Sequence, residues 1–309
     1  MPLITWDELS ERPTAEPEFL LDPYILRQGI TLLWAGTSIG KSPLTWEMAR
    51  AIGTGTHFFG LPCKPGRVLY LELDTPEVGI VPRIKRIPPA PNVWWAFDKP
   101  LSFPEITQEQ KEFFQEVLDD VDPEVVFVNT LRKVHNMDDK DSRTPKMVFS
   151  FFQYQFPKAA LVFVHHERKQ SQDPKAMHWD KESFSGSMHW LDDAQVGLQL
   201  TPFGRAGKTG QPLRLFHRKS QVSNLLRPME LILDPDGSRM RSPTFDELLS
   251  VYSMMNEREE KGGDLDRVVA AQMGISLSTA RRRRLDVERG AFPGSRAFLE
   301  REDGFSDDE

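Results

Sequence analysis

Cysteine is almost absent from the 309-residue sequence, where Cys63 stands alone. One thiol cannot close an intramolecular disulfide, and it has no Cys or His partners at metal-ligand spacing. A secreted disulfide scaffold and a zinc module are therefore excluded, and a reducing cytoplasm is the expected compartment. Long apolar runs are missing too. The longest, such as Ala159 to Val164, fall far short of the ~20 residues that a membrane span needs. The opening MPLITWDELSERP has no basic start followed by an apolar core, so neither a targeting leader nor a membrane role is expected. Nor is there an excess of positive charge. Thirty-nine Lys plus Arg against 46 Asp plus Glu leave a net charge of -7, which argues against coating nucleic acid with the whole surface. Any such contact must be local. No internal repeat occurs, and the longest low-complexity tract is Arg281 to Arg284.

What is present describes a folded chain. Hydrophobic residues make up 39% and the aromatics include 7 Trp and 20 Phe, too apolar for disorder. The length suits one full-sized core plus something small. Residues 1–27 read as an N-terminal arm interrupted by Pro13, Pro17 and Pro23. From Gly29 the chain shows seven runs of strand length: ITLLWAG, RVLYLEL, EVVFVN, AALVFVHH, AQVGLQL, LRLFHR and ELILD. The first four are continuous rather than alternating, as strands buried on both faces are, with room for crossover helices between them. This predicts an α/β parallel-sheet core over 28–236, with an antiparallel extension from Ala194 onward. DPDGSRMRSP then reads as a linker into a small helical domain at 243–297, followed by an acidic tail at 298–309.

The strongest local signal is LLWAGTSIGKS. A buried strand feeds a loop of Gly36, Thr37, Ser38, Ile39, Gly40, Lys41 and Ser42, and then a helical stretch. A nucleoside triphosphate needs backbone N–H groups converging at a helix N-terminus, a lysine reaching the β- and γ-oxygens, and a hydroxyl on Mg2+. Lys41 is the expected cation and Ser42 the expected metal ligand. Ala35 stands where the usual pattern has its first glycine, and Pro43 falls in the first helical turn, where a missing N–H costs little.

Chemistry in open parallel sheets gathers at the carboxyl ends of the strands. There the second run offers Glu72 and Asp74, two residues apart and so expected on one face. Either carboxylate could orient or deprotonate the attacking water; the competing reading caps the next helix or pairs with Arg83. The third run ends in Asn129, where phosphate-loop enzymes normally carry an aspartate that helps hold Mg2+. The fourth ends in His165-His166, whose opposite faces suit one sensor of the γ-phosphate and one packing ring rather than two ligands of one metal.

Taken in order, TLLWAGTSIGKSPLTWEMARAIGTGTHFFG, GRVLYLELDTPEVGIVPRI, EVVFVNTLRKVH, ALVFVHHERK and SFSGSMHWLDDAQVGLQL resemble the RecA-like ATPase core of the RepA-type hexameric replicative helicases and their phage and plasmid relatives. The resemblance covers about Glu18 to Asp234. It implies ATP and Mg2+ as cofactors, a homo-oligomeric ring, single-stranded DNA passing through central loops, and replication proteins as partners. It carries Lys41 and Ser42 over as phosphate and magnesium ligands, Asp74 onto the catalytic glutamate, Asn129 onto the second-motif aspartate, and His166 onto the γ-phosphate sensor. Three departures stand out. Asp74 is one methylene short, Asn129 lacks the charge, and Gln221 occupies the place of an arginine finger, leaving Lys219 and Arg218 to reach a neighbour's γ-phosphate. An arginine finger is worth ~10³ to 10⁵ in rate, so slow hydrolysis is expected.

Two regions are candidate DNA contacts. DLDRVVAAQMGISLSTARRRRLDVERG has the spacing of a helix-turn-helix and resembles part of a winged-helix or related DNA-binding domain. Ala280, Arg284 and Val287 form its inner stripe, which turns Arg282 and Arg283 outward beside Arg281, towards duplex DNA. The competing reading is a docking module with a solvated arginine face. Loops 131–143 and 168–181 carry Arg132, Lys133, Lys169, Lys175 and Lys181, suited to the backbone of a single strand. The expected function is an ATP-dependent DNA motor, a replicative helicase of a phage or mobile element. The alternative is a nucleotide-regulated origin, loader or recombination factor that does not translocate.

Overall fold

The computed structural model describes residues 3–12, 16–97, 101–166, 188–202, 206, 210–244, 266–267, 270, 276–278 and 280–282. Most of the expected helix-turn-helix, the acidic tail and the loop 168–181 lie outside the described residues.

The elements run, in chain order, α1 (Trp6–Ser10), β1 (Phe19–Leu21), β2 (Ile25–Leu26), β3 (Ile30–Ala35), α2 (Lys41–Thr54), β4 (Val68–Glu72), α3 (Glu77–Ile84), β5 (Val93–Phe97), α4 (Gln108–Asp120), β6 (Val125–Asn129), a 3-10 turn (Leu131–Lys133), α5 (Arg143–Gln155), β7 (Ala160–His166), α6 (His189–Asp193), β8 (Val196–Pro202), β9 (Gln211–Ser220), β10 (Met229–Leu233) and β11 (Met240–Arg241). A nine-stranded sheet has the order β11-β10-β9-β8-β3-β7-β6-β4-β5. From β8 to β5 all neighbours are parallel, and β9, β10 and β11 are antiparallel.

Strand alternation explains the unbroken apolar runs. In β3, Ile30, Leu32 and Trp34 enter one core while Leu33 and Ala35 enter the other. In β6, Val126 and Val128 oppose Val125 and Phe127 in the same way. A strand that feeds two cores has no polar side to show. The first core is covered by α2 and the β1–β2 hairpin, the second by α4, α5 and α6. The Thr45 hydroxyl lies 2.6 Å from the Tyr70 hydroxyl and ties α2 to β4. Tyr70 in turn stacks on Phe127, with centroids 5.6 Å apart.

All seven expected runs are strands, and four features differ from expectation. The run VWWAF, not among the seven expected, forms β5, a parallel edge strand. The run at Val196 is parallel to β3, so the antiparallel extension begins one strand later, at β9. The stretch expected as an arm contributes Leu20, Leu21, Tyr24 and Ile25 to the core. Finally, DPDGSR is a hairpin turn rather than a linker. Asp234 N donates to Arg239 O, Gly237 takes φ 68°, and Met240 in β11 is buried. Two-residue strands carry no periodicity for a sequence to show. Among the described residues no helix is long and apolar enough to cross a membrane.

Phe152 on α5 is fully buried, with its ring 5.2 Å from Phe163 and 5.4 Å from Phe151. Replacing it with alanine should cost about 3–5 kcal/mol in urea unfolding. Tyr154, two residues along the same helix but 82% exposed, should tolerate alanine within about 0.5 kcal/mol.

Candidate phosphate-binding site

The loop between β3 and α2 begins at the carboxyl end of a central strand and ends at Gly40, the N-cap of α2. Gly40 takes φ 102°, and a Cβ there would come within 3.1 Å of Leu233 and 3.2 Å of Met240. Glycine is required at this position by both conformation and space. Ser38 holds φ 61°, a left-handed conformation that costs a non-glycine residue about 1–3 kcal/mol and recurs at ligand-binding loops. The first turn of α2 leaves N–H groups without intrahelical partners, and the helix dipole makes that end favourable for anions.

Lys41, the first residue of α2, is only 7% exposed. Its ammonium donates to Ala35 O at 3.1 Å and Gly36 O at 2.8 Å, and lies 3.4 Å from His166 Nδ1. The lysine thus curls back over its own loop. Burial, and next the charge of Lys41, hold the His166 imidazole below its ordinary pKa, so it is neutral near pH 7. His165 points to the opposite face, with its ring 5.9 Å from that of Trp190. The two rings face opposite sides of the sheet, as adjacent residues of a strand do.

Glu72 and Asn129 are register partners on β4 and β6. The Asn129 side-chain amide donates to Glu72 Oε2 at 2.8 Å and to Ser42 Oγ at 3.2 Å. Glu72 is fully buried, and its Oε1 also accepts the N–H groups of Asp74 and Thr75. Burial raises its pKa above the usual carboxylate value. Strand β4 ends at Glu72, so alternation does not carry through to Asp74, and the two carboxylates part company. Glu72 holds the turn before α3 from within, while exposed Asp74 lines the cleft.

That cleft, of about 290 Å³, gathers residues 37–43 with Asp74, Asn129 and His166. It also includes Arg83, Leu233 and Gly237. Sequence reasoning named Arg83 only as a partner for a carboxylate, and it missed the other two because their hairpin read as a linker. The Arg83 guanidinium donates to Gly237 O at 2.5 Å and stacks 4.7 Å from the Trp46 ring. Arg86 pairs with Asp236. The β10–β11 turn is thereby fastened to α3 across the cleft mouth. Clefts of about 360 and 560 Å³ elsewhere are lined largely by apolar side chains and do not include the loop.

Other expected residues lie apart. Lys219 pairs with Gly197 towards the opposite end of the sheet, and its ammonium donates to Leu191 O and Asp192 O at the end of α6. Arg218 donates to Gln199 and stacks 4.0 Å from Phe216, and Gln221 is exposed just beyond β9. Arg132 and Lys133 are exposed in the 3-10 turn after β6. Arg281 and Arg282 are helical and exposed, with Ala280 buried; Lys169 and Arg283 lie outside the described residues.

A largely parallel sheet whose central strand leads through a glycine-bearing loop into a lysine-serine helix start defines a RecA-like P-loop core. Residues 1–172 match the model of the AAA domain family, more than half of the 309 residues, and the chain belongs to that family. The fold is similar to that of a KaiC-like protein from the hyperthermophilic archaeon Pyrococcus horikoshii OT3, with TM-score 0.50 and 8% identity over 74% of this chain and 96% of that one. It is also similar to the ATPase domain of G40P, with TM-score 0.50 and 10% identity over 70% of this chain and 85% of that one. At such identities the likeness is one of fold. No curated protein matches the chain.

The depressed His166 pKa makes a stability prediction. Because the folded value lies below the ordinary 6.5, the unfolded state binds the proton more readily. The contribution is fully present above pH ~6.5 and is lost as pH falls through the lower folded value. Unfolding free energy measured from pH 5 to 8 should rise more steeply in the parent protein than in His166→Gln; equal slopes would count against a buried neutral imidazole.

Proposed function

We propose that this chain is an ATP-dependent motor acting on DNA, in the manner of the RepA-type replicative helicases it resembles. One observation carries the nucleotide part of the reading. Lys41, Ser42, Asp74, Asn129 and His166, drawn from or just beyond the carboxyl ends of four neighbouring parallel strands, converge on one cleft at a helix N-terminus.

In this reading the N–H groups of 37–42 and the Lys41 ammonium hold the β- and γ-phosphates and absorb the charge that develops as the terminal phosphoryl transfers to water. Asp74, exposed in the cleft, orients or deprotonates that water. Neutral His166 hydrogen-bonds the γ-phosphate and reports its presence to β7. Ser42 offers an oxygen donor of the kind Mg2+ takes from protein when phosphates and waters complete its shell, and Asn129, whose amide nitrogen bonds Ser42 Oγ, would help hold the ion through that hydroxyl. Among the described residues no cluster of three His, Cys, Asp or Glu could hold a metal unaided, which fits an ion that arrives with the nucleotide. When bound, Mg2+ would supply charge neutralisation of the phosphates.

The DNA part rests on the RepA resemblance and on the exposed cations. Arg132 and Lys169 belong to the loops that would face a channel in a ring, probed by single-stranded DNA; Arg281, Arg282 and Arg283 would meet duplex DNA. A non-translocating, nucleotide-regulated DNA-binding factor is the second reading. It is favoured by Asn129, which brings no charge to the metal, and by Lys219, whose ammonium is engaged within its own chain.

ATP-driven displacement of a DNA strand separates the two readings. A motor displaces it, and a binding factor shows nucleotide-dependent DNA affinity without displacement. In either case Lys41→Ala should lower kcat/KM for ATP by at least about 100-fold with unfolding unchanged, and undiminished turnover would remove the assigned site. Truncation before Ser242 should spare ATP binding and abolish duplex binding. Neutralising Arg282 and Arg283 should flatten the salt dependence of duplex affinity by about one unit of slope for each DNA phosphate that they neutralise. Equal duplex binding by intact and truncated chains would assign the arginine run to protein docking instead.

A further inference from the structure

We propose that Glu72 supplies, from one strand away and through the Asn129 amide, the negative charge that Asn129 itself lacks at the magnesium site. The proposal rests on the nucleotide-site reading above and assigns a positioning role within it. Glu72 does not line the cleft; it acts through the residue that does.

Three observations carry it. First, Glu72 is 0% exposed, yet its three hydrogen-bond donors are neutral: the Asn129 amide at 2.8 Å and the N–H groups of Thr75 and Asp74 at 3.1 and 3.2 Å. Among the described residues no Lys or Arg forms an ion pair with it, although the Arg83 guanidinium is close enough to feel its charge. A buried carboxylate without an ion-pair partner is costly, and a cation held beyond Asn129 would offset that cost further. Second, it stands in register beside Asn129 on the adjacent parallel strand, so the displacement from the usual aspartate position is one strand spacing and one hydrogen bond. Third, the chain of contacts ends on the expected metal ligand: Glu72 Oε2 accepts from Asn129 Nδ2, and the same Nδ2 reaches Ser42 Oγ.

The direction of these bonds matters. An ionised carboxylate only accepts, so Glu72 fixes the Asn129 amide with its nitrogen inward. The nitrogen then occupies one lone pair of Ser42 Oγ and leaves the other, and the hydroxyl proton, for ligand and phosphate. Carboxylates behind metal ligands are worth 10–100-fold in metal affinity. The negative charge thus reaches the metal from behind its ligand rather than from the ligand itself.

Reversing the pair tests this on the full chain. Mn2+ serves as the probe, its affinity read by electron paramagnetic resonance in the presence of a saturating non-hydrolysable ATP analogue. Affinity for a fluorescent ATP analogue in EDTA reports the nucleotide site alone, and thermal unfolding monitors the fold. Glu72→Gln should weaken Mn2+ by 10–100-fold while leaving EDTA nucleotide affinity within about threefold. Asn129→Asp alone should bind Mn2+ no more tightly than the parent, because its carboxylate meets that of Glu72. The double variant Glu72→Gln with Asn129→Asp reverses the hydrogen bond and moves the charge forward; it should recover parental Mn2+ affinity or better. A merely structural Glu72 would not be rescued in this way. Asn129→Ala removes the bridge and should weaken Mn2+ as Glu72→Gln does, with the two effects non-additive; if Glu72→Gln alone does not fold, parental Mn2+ affinity in the double variant still carries the test and weakened affinity there overturns the proposal. Unchanged Mn2+ affinity in Glu72→Gln, or a double variant no better than Glu72→Gln, overturns the proposal and leaves the nucleotide site standing. A parent protein that binds no nucleotide with or without metal overturns the site reading and this proposal together.

Discussion

A sheet that is buried on both faces can display polar chemistry only where its strands end. In this chain β3, β4, β6 and β7 send alternate side chains into two apolar cores, so their lengths carry Val, Leu, Ile and aromatic residues with scarcely a polar interruption. The hydrogen-bonding and charged groups that interrupt them appear at the carboxyl termini: Ala35 opening the loop, Glu72, Asn129 and His166. Parallel register then brings those termini together. Glu72 lies beside Asn129, Asn129 beside Val164, and His166 beside Ala35. The cleft is a consequence of strand direction and burial before any residue in it is chosen for catalysis.

The same constraint explains why the cleft needs elements from elsewhere. Strand ends and a helix N-terminus supply a floor of donors and carboxylates, but a nucleotide also needs a wall. Leu233 and Gly237 come from the β10–β11 hairpin, at the antiparallel edge, and that hairpin is held by Arg83 of α3 on the Gly237 carbonyl and by Arg86, just past α3, on Asp236. Arg83 is itself steadied by the Trp46 ring on α2. One guanidinium therefore links α2 at the candidate phosphate loop, the helix after the candidate water-orienting carboxylate, and the β10–β11 turn beside the cleft. Any movement of the turn must exchange these interactions together.

Legibility in the sequence followed from how local each feature is. The phosphate loop was readable because a strand, a glycine-bearing turn and a lysine-serine helix start are contiguous, and Lys41 must sit where the loop ends. The parallel core was readable because two-sided burial writes itself as an unbroken apolar run. The coupling of Ser42, Asn129 and Glu72 was not, since it joins residues 30 to 87 positions apart through strand register that no single segment specifies. The hairpin at Asp234 was missed for a different reason. Its second strand has two residues, and Asp-Pro-Asp-Gly describes a linker and a tight turn equally well.

The loop as it stands also says what binding must exchange. Lys41 spends its hydrogen bonds on Ala35 O and Gly36 O and approaches the neutral His166 ring. A phosphate must offer this ammonium more than two backbone carbonyls do, and a doubly or triply charged group does so because the attraction of opposite full charges adds to the hydrogen bond. Neutrality of His166 matters to that exchange. A second cation at 3.4 Å would raise the affinity for any anion, whereas a neutral ring adds direction without bulk charge, accepting or donating according to its tautomer. In the proposed reading, discrimination for a terminal phosphate falls to geometry, to Lys41 from α2 and His166 from β7 meeting the same oxygens. The burial that keeps His166 neutral is the burial of the sheet itself, so the packing of an apolar core sets the charge of a polar cleft.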